Sequence, residues 1–534
     1  MSNFKLALAI IVSSFSFPAF AGGILTNTNQ SVLFLRNPAR DAAIGLDGVY
    51  SNPAGVIFLN DGLHIGFNWQ YAKQTRTIDS ENELFKLGIR NKNSAAKTFE
   101  GQATAPIVPS LQAAYNKNDW SFQFNFSVHG GGGKCEYDNG IATFETAVGA
   151  ITKRLMEVSN QINNQINAFG AEVPKVTGYD ADAYMRGKQY YFGFQVGAAR
   201  KIGENLSVYG GLRLLYGTAV YEARLNNIRL MNGNEGITLP QYFEGVVAGL
   251  ATSSERIQNG ITQTVNAYMA AGMTQEQAMQ TPEVQKLVTA GQALQSTSDE
   301  IRNSAEVLAP YSNGMNLKSD QTGWGIAPIL GIDYKTGSFN FAAKYEFKTR
   351  MRMKNNSDLK ESTVVAATNK FVDGTKVPED SPALLALGAQ WEITPSVRVN
   401  LGYHHFFDTS AHWYEHSEKE LDGDTNEYLG GAEWDITDKL QVSGGVQITR
   451  YQMADGFMND MSFVVNSWTF GLGAGYQITD KVKVNAAYFQ TNYTHYNMDT
   501  PEQNIAGLGL VIPAGKNSFT RTNKVVGLGV EINI

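Results

Sequence analysis

The sequence predicts an all-β chain: a transmembrane antiparallel β-barrel of about 14 strands, with an N-terminal hatch inside the lumen and helical extracellular loop insertions. Three observations predict it. Apolar residues recur at every second position in segment after segment. The connections between those segments run long, short, long, short. Beyond residue 21 no apolar run reaches the roughly 18 residues that mark a membrane-crossing helix. A barrel needs none, because only alternate residues face lipid.

The first residues read as a secretory signal, 1–21. Lys5 supplies the positive end, Leu6 to Val12 with Phe15 and Phe17 a short apolar core, and Ala19-Phe20-Ala21 a small-x-small cleavage pattern. The mature chain is expected to start at Gly22. Net charge is -7, and loss of Lys5 makes it -8, without basic clusters; no nucleic acid is expected as a partner. The one cysteine, Cys135, allows neither an internal disulfide nor a thiolate metal site, and no cofactor or metal is expected. Glycine is abundant, 53 of 534 residues, where about 7% is usual. Aromatics reach 11% while mean hydropathy is only -0.24. The chain is thus exported, and either water-soluble or a barrel.

Alternation begins at Asp61. Leu63, Ile65, Phe67, Trp69 and Tyr71 interleave with His64, Gly66, Asn68 and Gln70. Trp120, Phe122, Phe124 and Phe126 do so with Ser121, Gln123 and Asn125, and the chain ends on Val526, Leu528, Val530, Ile532 and Ile534. Such segments lie near 61–72, 107–116, 119–129, 185–200, 205–222, 322–334, 338–350, 382–393, 396–408, 425–436, 439–450, 464–478, 481–492 and 521–534. A β-sandwich would alternate too. The connections decide between them. Asn116–Asp119, Ile202–Asn205, Lys335–Ser338, Ile393–Ser396, Ile436–Lys439 and Ile478–Lys481 are tight turns, and the links between them are long. Outer-membrane barrels sort their connections this way, with short periplasmic turns and long external loops. The expected location is the bacterial outer membrane, with both termini on the periplasmic side.

Within the barrel domain, 61–534, two long loops carry helical patterns. Residues 141–170 place Ile151, Leu155, Val158, Ile162 and Ile166 on one face; residues 243–308 do so with Ile257, Ile261, Val265, Met269, Leu287, Leu294, Ile301 and Leu308. These are either packed decoration of the barrel mouth or an apolar collecting surface. A barrel of about fourteen strands also encloses a lumen too wide for its own side chains to fill. Residues 22–60 precede the first strand and carry Ile24, Leu25, Val32, Leu33, Phe34 and Leu35. A disordered tail rarely holds so many large apolar residues, so the segment is expected to plug the lumen.

Here the sequence resembles the FadL-type family of outer-membrane transporters for long-chain fatty acids and other hydrophobic compounds. The resemblance rests on Asn52-Pro53-Ala54, just before the first strand, and on Arg521 to Gly529 in the closing strand. It implies a hatch bearing Asn52, Pro53 and Ala54, capture of ligand at external loops, an apolar lumen pocket, and lateral release where a strand is kinked near the hatch. The family often carries an aromatic near the mature N-terminus that fills the pocket; here Ile24 and Leu25 are the nearest apolar residues. A second triplet, Asn37-Pro38-Ala39, lies outside the family position. The resemblance would put the kink at Gly130–Gly133, and Pro328 marks another candidate wall defect.

On the alternation Arg213, Lys344, Lys348, Arg398 and Lys483 face the lumen. Arg213, Lys344 and Arg398 are candidate ligands for a carboxylate headgroup, or members of a lumen charge network with Glu346 and Glu531. Expected partners are a hydrophobic small molecule, outer-membrane lipid, lipopolysaccharide and the outer-membrane assembly machinery, with the chain a monomer. The rival functions are a polar-solute porin and a structural or adhesive barrel. An enzyme is not expected: Ser410 with His412, and His416 with Ser417, sit in a loop without a nucleophile motif. Asp422 to Asn426 resembles the start of a calcium loop, but Glu427 replaces its required glycine.

Overall fold

The alternating segments pair into one closed sheet. The computed structural model describes residues 26–308, 314–358, 370–505 and 510–534; the expected signal peptide, Ile24 and Leu25 lie outside them. The barrel strands are β1 (Gly62–Glu81), β2 (Ala96–Lys117), β3 (Trp120–Tyr137), β4 (Gly178–Ile202), β5 (Leu206–Asn232), β6 (Met315–Thr336) and β7 (Phe339–Glu346). They continue as β8 (Leu384–Thr394), β9 (Val397–Phe406), β10 (Thr425–Asp435), β11 (Leu440–Arg450), β12 (Ser467–Thr479), β13 (Val482–Tyr493) and β14 (Gly515–Asn533). Each is antiparallel to its sequence neighbours. β14 returns to β1, from Asn533 opposite His64 to Lys516 opposite Glu81, and closes a 14-strand cylinder. Helix α1 (Val32–Arg36) precedes the barrel.

Burial is inverted relative to a soluble sheet. On β3 the buried side chains are Ser121, Gln123, Asn125 and Ser127, while Trp120 and Phe122 are exposed. On β12 Ser467 and Thr469 are buried, whereas Trp468, Leu472 and Tyr476 are exposed. Each large apolar side chain left in water forgoes about 1.5–3 kcal/mol, so an outer face of this kind needs hydrocarbon. The aromatics sort into two girdles. Trp120, Phe339, Trp391 and Trp434 ring the end with tight turns; Tyr216, Trp324, Tyr428 and Trp468 ring the end with long loops. Trp324 and Tyr334 mark both girdles on β6, ten residues or about 33 Å apart along the strand. At a tilt near 40° that is a depth of about 25 Å, the height of an outer-membrane apolar band. No described helix is long and apolar enough to cross a membrane.

The first six strands run 18–27 residues, β7–β13 only 8–13. A spanning strand needs about 9–11. The early strands therefore project past the apolar band at the loop end, where the outer face meets water and the inner face carries buried apolar residues such as Ile78 and Phe99, so the apolar-out, polar-in pattern ends; the sequence segments stop short there. Pro328 marks an interruption on one side of the wall only: the ladder with β7 stops at Ile329 opposite Glu346 and resumes at Thr322 opposite Lys354, while the β5 side stays paired. It faces Leu212 on β5 in unbroken register, and its carbonyl accepts the Phe347 amide at 3.1 Å just where β7 ends.

The β3–β4 loop carries α2 (Ala142–Ile166), and the β5–β6 loop carries α3 (Leu239–Ala270), α4 (Gln275–Met279) and α5 (Pro282–Leu308). Thr238 starts α3 with a capping box: its hydroxyl accepts the Gln241 amide, and the Gln241 side chain accepts the Thr238 amide at 2.9 Å. Leu155, Ile162 and Ile166 of α2 pack with Leu250 and Ile257 of α3 and Leu294 and Ile301 of α5. The stripes cover one another. Met269 and Met273 at the far end of α3 stay exposed.

Candidate functional site in the barrel lumen

Residues 26–60 meet the inward faces of strands around the circumference. Ser31 caps α1 by accepting the Phe34 amide, and the Val32 amide donates to Asn68 Oδ1 of β1 at 3.0 Å. Beyond α1 the segment has little regular structure, and its carbonyls must find partners elsewhere. The wall supplies them as side-chain amides and cations. Asn340 donates to the Ala42 carbonyl at 2.8 Å, Gln195 to Val49 at 2.9 Å, Lys344 to Tyr50 at 2.8 Å, Gln123 to Pro53 at 2.7 Å and Asn116 to Val56 at 2.9 Å. The polar buried face of the strands is thus the complement of an irregular backbone.

Both Asn-Pro-Ala triplets are seated in that lining. Asn52 Nδ2 donates to Asp333 of β6 at 2.6 Å, its Oδ1 accepts the Gly55 amide, and the Ala54 carbonyl accepts the Ser207 hydroxyl at 2.6 Å. Asn37 Oδ1 accepts the Ala39 amide at 3.2 Å, two residues on rather than three as at Asn52, and Asn37 and Ala39 are fully buried. Nothing beyond the repeated triplet itself signalled the second copy in the sequence.

Glycines make the room. A Cβ at Gly388 (β8), Gly431 (β10) or Gly471 (β12) would overlap Ala42, Asn37 or the Leu35 carbonyl respectively. Gly471→Ala should therefore push α1 off the wall without touching the lipid face. The expected outcome is faster proteolysis within residues 26–60 at an unchanged barrel circular-dichroism spectrum; equal protection would contradict this packing.

Charge holds the segment too. Arg40 donates to Asp47 at 2.7 Å and to Glu433 of β10, all three buried. Burial alone would lower the guanidinium pKa, but the two carboxylates more than offset it and hold Arg40 above its ordinary value. Arg36 instead faces neutral acceptors: Ser443 at 2.8 Å, Gln441 at 2.8 Å and Asn485 at 2.5 Å. Of the candidate headgroup cations, Arg213 and Lys344 both pair with buried Glu346 and both sit over the Tyr50 ring. Arg398 pairs with Asp435 at 2.8 Å and Glu433 at 3.4 Å. The structure brings Arg213 and Lys344 together; Arg398 belongs to the Arg40 group. Lys348 reaches the Ser410 carbonyl at 2.6 Å, and Lys483 reaches Gln441 at 3.1 Å.

Toward the loop end lies an apolar layer. Ile78, Phe99, Leu215 and Phe519 of the wall meet loop residues Phe371, Trp413, Phe457 and Phe463. Met185, Met351, Met353, Met458 and Met461 lie in the same cluster. Methionine is flexible and polarizable, so such a layer can repack around an apolar guest.

Beside residues 26–30 the wall is broken. Thr104 faces Lys134 and Ser110 faces Ser127, with no paired residues between them on β2 and β3. Five steps along β3, Val128 to Gly133, match only three along β4, Phe192 to Gln189. Two steps along β1, Gln70 to Ala72, match three along β2, Val108 to Ala105. β3 thus carries two surplus residues and β2 one. Gly131 (φ 93°) and Gly133 (φ 76°) adopt the left-handed region that glycine permits. Opposite them Pro106 and Pro109 lack amides to donate. The paired prolines were the sequence signal that, set beside the glycine run, would have located the break.

Backbone groups freed inside a membrane need partners. Residues 26–30 supply them. Thr26 bridges Gly130, and the Asn27 amide donates to the His129 carbonyl at 2.8 Å. Asn27 Nδ2 reaches the Gly131 carbonyl at 3.2 Å, Gln30 Nε2 reaches Val128 at 3.1 Å, and Ser110 donates to the Gln30 carbonyl at 2.6 Å.

Residues 366–512 match the family model "Outer membrane protein beta-barrel domain". A FadL homologue of Pseudomonas aeruginosa superposes with a TM-score of 0.56 at 11% identity, over 95% of this chain and 99% of that one. The deltaS2S3 mutant of the monoaromatic hydrocarbon channel TodX superposes with a TM-score of 0.51 at 12% identity, over 94% and 99%. No curated protein sequence matches the chain. The likeness is one of fold.

Proposed function

We propose that this outer-membrane barrel, built on the FadL-type fold, takes up hydrophobic small molecules, with residues 22–60 as a hatch and the β2–β3 break as a lateral exit. The observation that carries the reading is the break itself, whose freed carbonyls are held by Asn27 and Gln30. A porin has no need of a wall defect bonded to its own N-terminal segment. The names of the superposable structures, a FadL homologue and a monoaromatic hydrocarbon channel, point to the same class of cargo. In this reading both termini are periplasmic and the helical loops external.

The apolar Met-rich layer is the receiving pocket. Burying ten methylenes contributes about 8 kcal/mol before losses, near micromolar affinity. Release then requires the hatch to shift. Arg213, Lys344 and Arg398 would meet a carboxylate headgroup only by exchanging it for Glu346 or Glu433. The chain acts as a monomer, delivered by the assembly machinery and surrounded by outer-membrane lipid and lipopolysaccharide.

Mass spectrometry of molecules co-extracted in mild detergent, paired with liposome swelling, tests the reading. The expected result is an apolar ligand retained and no swelling with sugars. Free passage of sugars with no retained ligand would overturn it in favour of a porin.

A further inference from the structure

We propose that His412, His416 and Glu418, in the loop between β9 and β10, bind one divalent first-row transition-metal ion, with zinc the best match. Among the described residues, these three offer ligand atoms that all lie within 4.8 Å of one another. The proposal is independent of what the barrel transports.

The backbone gathers the three side chains. Glu415 and His416 are consecutive left-handed residues, φ 54° and 59°, a conformation uncommon for residues that carry a Cβ. That turn folds His416 back over His412, with ring centroids 4.6 Å apart at 64°. Glu418 is buried. One carboxylate oxygen accepts the Trp413 amide at 3.0 Å, which aims the other at His416 Nδ1, 2.9 Å away. The loop beneath is stitched down: Trp413 Nε1 donates to the Asp380 carbonyl at 2.9 Å, the Asp380 amide donates to the His412 carbonyl, and Trp413 bridges Glu379. Strained, over-determined backbone of this kind concentrates at functional sites.

The donor set selects the ion. Two imidazoles and one carboxylate suit zinc, copper or nickel, whereas calcium and magnesium favour all-oxygen shells. Three protein ligands leave a fourth position for water or an incoming donor, as in open zinc sites. Bonds near 2.0–2.1 Å to a tetrahedral ion place ligand atoms roughly 3.3 Å apart. The ring of His416, whose side chain is about half exposed (53%), has the freedom to close that difference. The ion would then replace the hydrogen bond between His416 and Glu418. Because the same loop inserts Trp413 against Phe457 in the apolar layer, metal binding would also fix one wall of that layer.

Full-length protein without a polyhistidine tag, titrated with cobalt(II) and followed by visible absorption, reads the site directly. One equivalent with a tetrahedral spectrum, bleached by zinc, is expected. His412→Ala, His416→Ala and Glu418→Gln should each weaken binding at least as much as losing a supporting outer-sphere partner does, about 10–100-fold. His495→Ala, in another loop, should not. Heat-modifiable electrophoretic mobility reports whether each variant still folds, and the wild-type spectrum stands whatever the variants do. No cobalt spectrum, an octahedral one, or equal binding by the His412→Ala/His416→Ala double variant would overturn the site and leave adventitious ion only.

Discussion

Arg40→Ala is expected to free the N-terminal segment while the barrel stays closed. Among the described residues Arg40 is the single cation bonded to both Asp47 and Glu433, and all three are buried. Removing Arg40 leaves Asp47 desolvated and unpaired and Glu433 with Arg398 alone at 3.4 Å, and breaking a buried charge group in this way costs about 3–5 kcal/mol. That shifts the ratio of seated to unseated hatch by roughly a hundred- to several-thousand-fold. The strands keep their hydrogen bonds, so heat-modifiable mobility should survive. Sugars should now swell proteoliposomes, and protease should cut between residues 26 and 60. Replacing Asp47 by Leu and Glu433 by Gln in the same chain removes the stranded carboxylates and should restore much of the seal. An Arg40→Ala protein as tight and as protected as the parent would show that the charges do not hold the segment.

Closing the wall should abolish uptake of apolar cargo without opening a pore. Deleting Gly131 and Gly132 from β3, with Ile107 from β2, removes the surplus residues that throw the two strands out of step. The ladder could then zip from Thr104 to Ser110 and satisfy its own backbone groups. Uptake of a hydrophobic probe should fall to the level of cells lacking the protein, while folding and hatch protection persist. Undiminished uptake would place the exit elsewhere.

These expectations rest partly on features plain in the sequence. Strand identity was legible because lipid and a polar lumen impose opposite chemistry on alternate residues, as at Phe122 and Gln123. Strand length was not, since β4 and β5 run on beyond the apolar band, where that contrast ends. The helical stripes of α2, α3 and α5 were legible because they bury against one another. The Gly130–Gly133 run pointed at the kink. Pro106 and Pro109 passed unnoticed because proline reads as a turn until its partner strand is known. Pro328, singled out beforehand, sits in a continuous ladder with β5 but where the β6–β7 ladder stops, so it marks an interruption on one side only.

The lumen was harder to read than the wall. Gly388, Gly431 and Gly471 count in a composition but show their purpose only against Ala42, Asn37 and Leu35. The cations at Arg213, Lys344 and Arg398 were placed on the correct face; their carboxylate partners depend on which strands stand next to each other. His412 and His416 looked like separate His–Ser pairs, because only a left-handed turn at Glu415 and His416 stacks them.

The most direct measurement of the central claim is a reversible staple between hatch and wall. Thr26 and Gly130 form a non-hydrogen-bonded antiparallel pair, whose Cα atoms sit about 4.5 Å apart, within disulfide range. In a chain carrying Thr26→Cys, Gly130→Cys and Cys135→Ala, oxidation should stop uptake of a hydrophobic probe and reductant should restore it. Uptake at the same rate in the oxidised and reduced states would contradict a hatch that must move for cargo to leave.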